Sequence, residues 1–184
     1  MVPTLIATLG VKGHRPVVGT WDGKHLLYVF AVVNLATAAV HANLVDSPKD
    51  AKQRTGQSKT RRLQHAFAAH LRHVGRMYPA EKNPRVVILI DNAPWHAGEP
   101  VRAALTDNPH LELKRLPSYS PQLNPIERFW RVLRRRATHN RLFDTLADLR
   151  RSIRSSLSYY QTVRQRVRTL LSGKQGKQTT SAGS

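Results

Sequence analysis

An α/β fold with a mixed sheet flanked by helices is what this sequence predicts, on three observations. Runs rich in β-branched residues open the chain. Apolar residues at three- and four-residue spacing dominate its middle and its end. One unbroken apolar run of five, Val86–Ile90, stands between helical patterns. The resulting order is three strands, helix, strand, helix, strand, helices, which a layered α/β domain accommodates.

Val17–Trp21 and His25–Val33 read as strands joined through Asp22-Gly23-Lys24, a tight-turn signal, and Val40–Val45 completes an antiparallel meander. Residues 46–59 are polar, carry Pro48 and Gly56, and read as a surface loop. Ser58 or Thr60 can cap the helix that follows, with Leu63, Phe67, Leu71, Val74 and Tyr78 on one face and Pro79 as its stop. Val86–Ile90 is too short for a globular helix and fits a strand buried on both faces. Glu99-Pro100 opens a short helix that Asn108-Pro109 closes, Leu111–Leu116 alternates as a strand, and 117–125 is a proline-punctuated loop. Helix resumes from Pro125 to about Asn140 and again through about Leu171, where Leu142, Leu146, Leu149, Ile153, Leu157, Tyr160, Val163, Val167 and Leu170 keep helical spacing. The predicted domain is therefore 1–171. Residues 172–184, rich in Gly, Ser, Thr, Gln and Lys, predict a disordered tail.

The chain has 184 residues, 40% of them hydrophobic, enough for one core. Lys plus Arg total 30 against 11 Asp plus Glu, a net charge of +19 that points to a polyanionic partner, nucleic acid before acidic membrane. Without cysteine there is no disulfide, thiolate metal site or cysteine nucleophile. Met1–Gly10 lacks the basic start and apolar core of a signal peptide, and no apolar run approaches the ~18 residues of a membrane span. The expectation is a basic, cytoplasmic protein with no membrane partner and no small-molecule substrate.

Two places can carry chemistry. Val86–Ile90 runs straight into Asp91-Asn92-Ala93-Pro94-Trp95-His96, and in open α/β sheets ligands sit beyond the carboxyl ends of strands. Asp91 there is either a held carboxylate or a turn residue. Further on, Asn124 suits a helix N-cap, Pro125 the first helical position and Glu127 the third, where a capping-box carboxylate reaches back to the cap. The same placement fixes Glu127 rigidly enough for a metal ligand. Asp91 and Glu127 are 36 positions apart, with a short helix and a strand between them, an excursion that can return the chain to one end of the sheet. Two carboxylates brought close repel unless a cation or a proton intervenes, and Mg²⁺ binds through one or two carboxylates plus phosphates and waters.

The two blocks, Asp91-Asn92-Ala93-Pro94-Trp95-His96 and Leu116-Pro117-Ser118-Tyr119-Ser120-Pro121-Gln122-Leu123-Asn124-Pro125-Ile126-Glu127-Arg128-Phe129-Trp130, closely resemble the DDE transposases of bacterial insertion sequences, in the mariner-like superfamily. The resemblance runs from about Pro3 to about Leu171 and implies a ribonuclease-H-like sheet. Asp91 and Glu127 would then be the second and third acids of a catalytic triad that binds Mg²⁺ or Mn²⁺ for DNA strand cleavage and strand transfer. Families of ribonucleases and junction resolvases share the fold, but the block from Ser120 to Glu127 argues against them. In the family the first Asp lies on a strand upstream of the segment matched by Pro3–Val18, so the first strand is expected to be missing or incomplete here. Asp22, Asp46 and Asp50 are poor replacements, lying in a predicted turn and loop. The chain is expected to be the later part of a transposase, from a truncated or frameshifted reading frame. The alternative is a catalytically dead DNA-binding remnant, or an assembly module built on the Leu142–Leu170 stripe.

His96 can support a phosphate or water near Asp91, or bond to backbone, and Asn92 is a second candidate for support. Trp95, Phe129 and Trp130 are expected to pack. His70 and His73, three apart, read as a solvated face. Between Arg128 and Arg168 lie 12 arginines and two acids. Arg128, Arg131, Arg134, Arg135 and Arg136, on the predicted Glu127 helix, are candidates for DNA-backbone contact, because guanidinium matches phosphate oxygens in pairs. Double-stranded DNA is the expected partner, acting at the bacterial nucleoid, and pairing with a second copy is left open.

Overall fold

The computed structural model of the chain describes residues 26–47, 55–117, 124–139 and 141–172. Strands β1 (Leu26–Val33) and β2 (Val40–Ser47) pair antiparallel, in the register Tyr28↔Val45, Phe30↔Asn43 and Val32↔His41. Helix α1 (Lys59–Met77) follows. Strand β3 (Val86–Ile90), a 3₁₀ turn at Pro94–His96, helix α2 (Glu99–Thr106) and strand β4 (Leu111–Arg115) form a crossover that pairs β3 and β4 in parallel. Helices α3 (Ile126–Ala137), α4 (Leu146–Thr162) and α5 (Arg164–Ser172) complete the described chain. The expected strand Val17–Trp21, the turn beside it and the tail beyond Ser172 lie outside the described residues.

Alternation along β1 and β2 builds two cores. Leu27 and Val33, with Val40, pack against Phe129 and Leu133 of α3, Leu149, Ile153 and Leu157 of α4 and Val167 of α5. Phe30 turns to the other side, onto Leu63, Phe67, Leu71 and Val74 of α1, together with Ile88 and Ile90 of β3 and Leu111 of β4. A period of two sends successive side chains to opposite faces, so one hairpin serves both layers. Leu149, Ile153, Leu157, Tyr160 and Val167 are all buried inside the chain. The stripe expected between Leu142 and Leu170 is thus spent on the chain's own core, which leaves the assembly-module reading without its surface.

Helix α1 starts where its cap dictates: Ser58 Oγ accepts from the Arg61 amide at 3.2 Å. The last helical segment is two helices, broken at Val163, whose amide closes the end of α4 on Tyr159. Helix α3 ends at Ala137, a turn short of the expectation.

One expectation about the sheet changes. Val86–Ile90 is a strand, but only one face is covered: Ile88 and Ile90 are buried, while Val87 and Leu89 are 45% and 43% exposed. The fold is mixed α/β as expected, and among the described residues the strands form two ladders, one antiparallel and one parallel. A cleft of about 460 Å³ lies between them. Every residue from Tyr28 to Val33 and from Val87 to Asp91 reaches it. Side chains alternate, so contact by every residue means that the backbone edges of β1 and β3 face the cleft. Among the described residues, no helix is long and apolar enough to cross a membrane.

Candidate active site

Asp91 follows the last residue of β3, so the buried strand fixes its backbone while its side chain is 58% exposed. Its Oδ1 accepts from the Ala93 amide at 3.0 Å, the turn that sequence reasoning offered as the alternative role. Turning the chain and presenting a carboxylate are compatible, because among the described residues both recorded contacts fall on Oδ1, leaving Oδ2 for a ligand.

The second contact is His96, whose Nδ1 lies 3.0 Å from Asp91 Oδ1 and 3.2 Å from the Asp91 carbonyl. Both oxygens can only accept, so Nδ1 carries the proton and donates. Phe67 covers the ring, with centroids 4.5 Å apart. Burial pushes the His96 pKa down, against the raising pull of Asp91. The imidazole is therefore neutral near pH 7, and the contact is a hydrogen bond that orients Asp91, with Nε2 as an acceptor. His96 therefore bonds to backbone, one of the two readings given above, and also touches the Asp91 carboxylate.

Asn92 braces the same corner. Its Nδ2 donates to the Leu116 carbonyl at 3.1 Å, and its Oδ1 accepts from Arg115 at 3.5 Å. The segment after β3 is thereby tied to the segment after β4. Gly98, at the end of this loop, has φ +120°, and a Cβ there would sit 2.6 Å from Gln64 Nε2 of α1. The positive φ is what favours glycine here, since the end of the Gln64 side chain can swing aside.

Glu127 is the second residue of α3. The helix begins one residue later than expected: Pro125 holds the cap position with no side-chain capping bond, and the Glu127 amide bonds to the Asn124 carbonyl at 3.1 Å. The capping box therefore does not form. The Glu127 side chain is exposed and makes no recorded contact among the described residues. Asp91 and Glu127 both line the cleft between the ladders, with His96, Trp130, Arg134 and Leu171.

The arginines divide. Arg134 lines the cleft. Arg131 and Arg135 are exposed. Arg136 lies 3.8 Å over the Tyr159 ring. Arg128 donates to the Leu171 carbonyl at 3.1 Å and the Leu170 carbonyl at 3.5 Å. Phe129 is fully buried and Trp95 and Trp130 are half-buried in the cores, as packing residues. Asp46, the one described candidate for a further acid upstream, is paired with Arg150 at 2.7 Å.

His70 departs from expectation. It is buried at 3% exposure, with Nδ1 donating to Asn43 Oδ1 at 2.8 Å and Nε2 without a partner among the described residues. Burial first, then His73 and His41, lower its pKa to about 4. Spacing gave no sign of this, because Asn43 is 27 residues away; the only signal was that position 70 falls between the apolar positions 67 and 71.

For a divalent metal, the residues fit in kind. Asp91 and Glu127 supply the hard oxygen donors that Mg²⁺ and Mn²⁺ take. Among the described residues, however, no group of three or more potential ligands gathers in one place.

Residues 46–150 match the family described as DDE superfamily endonuclease. The uncharacterized protein y4pE/y4sA of Sinorhizobium fredii (strain NBRC 101917 / NGR234) is 32% identical over 84 residues, covering 46% of this chain and 58% of that protein. The crystal structure of the Mos1 mariner paired end complex with Mn superposes with a TM-score of 0.57 at 17% identity, over 93% of this chain and 50% of that one. The Mos1 transposase paired-end complex with left transposon end gives 0.55 at 18%, over 94% and 51%. The chain therefore spans between half and three-fifths of the length of these proteins. With more than half its residues in the family match and both cleft carboxylates within it, this chain belongs to the DDE superfamily endonucleases, and its fold is ribonuclease-H-like.

Proposed function

We propose that the chain is the catalytic portion of an insertion-sequence transposase, acting in metal-dependent DNA strand cleavage and strand transfer. The observation that carries this is that Asp91 and Glu127, from different layers of the fold, both line one cleft. Asp91 and Glu127 are the metal ligands in this reading, and a bound Mg²⁺ or Mn²⁺ supplies Lewis acidity and an activated oxygen nucleophile. The chain's own residues do the rest. His96 holds Asp91 by its Nδ1 proton, and Asn92 fixes the loop between them. Arg131, Arg134 and Arg135 hold the DNA backbone. Arg128 and Arg136 belong to the same basic helix and add charge while bonded within the fold. Residues 1–171 would form the catalytic domain, 172–184 a tail, and the site of action would be duplex DNA at the bacterial nucleoid, with a homodimer as the assembly to test by light scattering.

Little or no catalysis is expected of this chain alone, so wild type, Asp91→Asn and Glu127→Gln are to be compared within the longer transposase that the resemblance implies, for Mg²⁺- or Mn²⁺-dependent nicking of duplex DNA and for DNA affinity. Each substitution is expected to lower cleavage by at least about 100-fold, or ~3 kcal/mol of transition-state stabilisation. DNA affinity is expected to change less than about twofold, since neither residue contributes phosphate-pairing charge. Full cleavage in either variant refutes the assignment.

A second reading, a DNA-binding remnant without catalysis, is favoured by the small number of ligands gathered among the described residues. It predicts salt-sensitive DNA binding by the wild-type chain with no nicking in either metal.

A further inference from the structure

We infer that Arg128 is a positioning residue, which ties the carbonyl end of α5 to the first turn of α3 and so holds Glu127 in the site. This rests on Glu127 as a metal ligand. The first turn of α3 has little local anchorage: its cap is Pro125, with no side-chain capping bond, and its only acid is Glu127 itself. Helices with such ends fray unless tertiary contacts hold them.

Phe129 and Ile126 seat this turn in the core, and α5 adds a polar contact to it. Arg128, the neighbour of Glu127, points its Nη1 at the Leu171 and Leu170 carbonyls, 3.1 and 3.5 Å away. The last carbonyls of a helix lack partners within it and carry its partial negative charge, so a guanidinium there satisfies both needs. Val167 seats α5 in the same core as Phe129, and Leu171 reaches the cleft that Asp91 and Glu127 line. Helix α5 lies beyond the 46–150 family match, yet its end is bonded to Arg128, the residue after Glu127. The geometry gives Arg128 an internal task in place of a free face toward DNA.

The decisive comparison is Mn²⁺ affinity, read from the spin resonance of free Mn²⁺, in wild type, Arg128→Gln, Arg128→Lys and Arg131→Gln. Removing a cation near a metal site raises metal affinity on electrostatic grounds alone, so Arg131→Gln is expected to bind Mn²⁺ as well as wild type or better. Arg128→Gln is expected to bind about 10-fold more weakly despite the same loss of charge, the effect of a lost outer support. Arg128→Lys, which can still donate to the carbonyls, is expected to recover most of that affinity. DNA affinity should fall less in Arg128→Gln than in Arg131→Gln. Mn²⁺ binding by Arg128→Gln at or above the wild-type level, or a DNA defect equal to that of Arg131→Gln, overturns the inference. If the wild-type chain binds no Mn²⁺, the ligand reading of Glu127 falls, and amide exchange at Glu127–Trp130 then decides the tether: faster in Arg128→Gln supports it, unchanged refutes it.

Discussion

The two helical layers handle charge in opposite ways. On the side of α1, α2 and the β3–β4 ladder, cations meet anions: Arg61 with Glu99 at 3.1 Å, Arg72 with Asp107 at 2.9 Å and Arg85 with Glu112 at 2.7 Å. On the side of α3, Arg131 and Arg135 stand exposed, and Arg134 opens on the cleft. Exposed pairs add little stability, so the first layer's pairs chiefly bring its surface nearer to neutral. The net positive charge of the chain is consequently concentrated where Glu127 sits, and a polyanion is drawn to that layer first.

The largest expected effect lies on the neutral side, in its buried histidine. His70 has its pKa depressed from 6.5 to about 4 by burial and by His73 and His41. His41 is lowered as well, by burial, by His73 and by Arg164 of α5. Between pH 6.5 and 4 the unfolded chain therefore binds protons that the folded chain refuses, so stability is present above about 6.5 and is lost as pH falls. For His70 alone the difference is roughly 3 kcal/mol. Denaturant melts from pH 7 to pH 4 should show it, and a flat profile would mean that the cluster opens to water.

Next is the arginine layer. If Arg131, Arg134 and Arg135 each meet a phosphate, a fourfold rise in salt should weaken DNA binding about 40-fold, and replacing all three by Gln should flatten the slope by about 2.7. Replacing Arg61, Arg72 and Arg85 removes the same charge from the paired layer and should leave the slope close to wild type. Equal slopes in the two triple variants would erase the distinction between the layers. A smaller effect belongs to Gly98→Ala, which combines a positive φ with a close approach to Gln64 and should cost about 1–3 kcal/mol by thermal melting.

Much of this was legible in the sequence wherever the determinants are local. Ser58 marks the start of α1, Pro79 follows its end, and Val86–Ile90 is the strand that delivers Asp91. That Asp91 and Glu127 line one cleft agrees with the two motif blocks. What could not be read depends on distant partners. Val87 and Leu89 look as buried as their neighbours until the cleft is seen. Arg128 looks like one more surface cation, because its carbonyl partners are 42 and 43 residues away. The box expected at Glu127 fails for a local reason that spacing cannot report: the helix takes Pro125 as its cap, which shifts Glu127 one position toward the N-terminus of the helix.

The parallel ladder has a mechanical corollary. Asp91 leaves the end of β3, and the next residue, Asn92, bonds to the Leu116 carbonyl just past β4. A pull on the Asp91 carboxylate is therefore shared by both strands, and the carboxylate keeps its place when a charged ligand arrives.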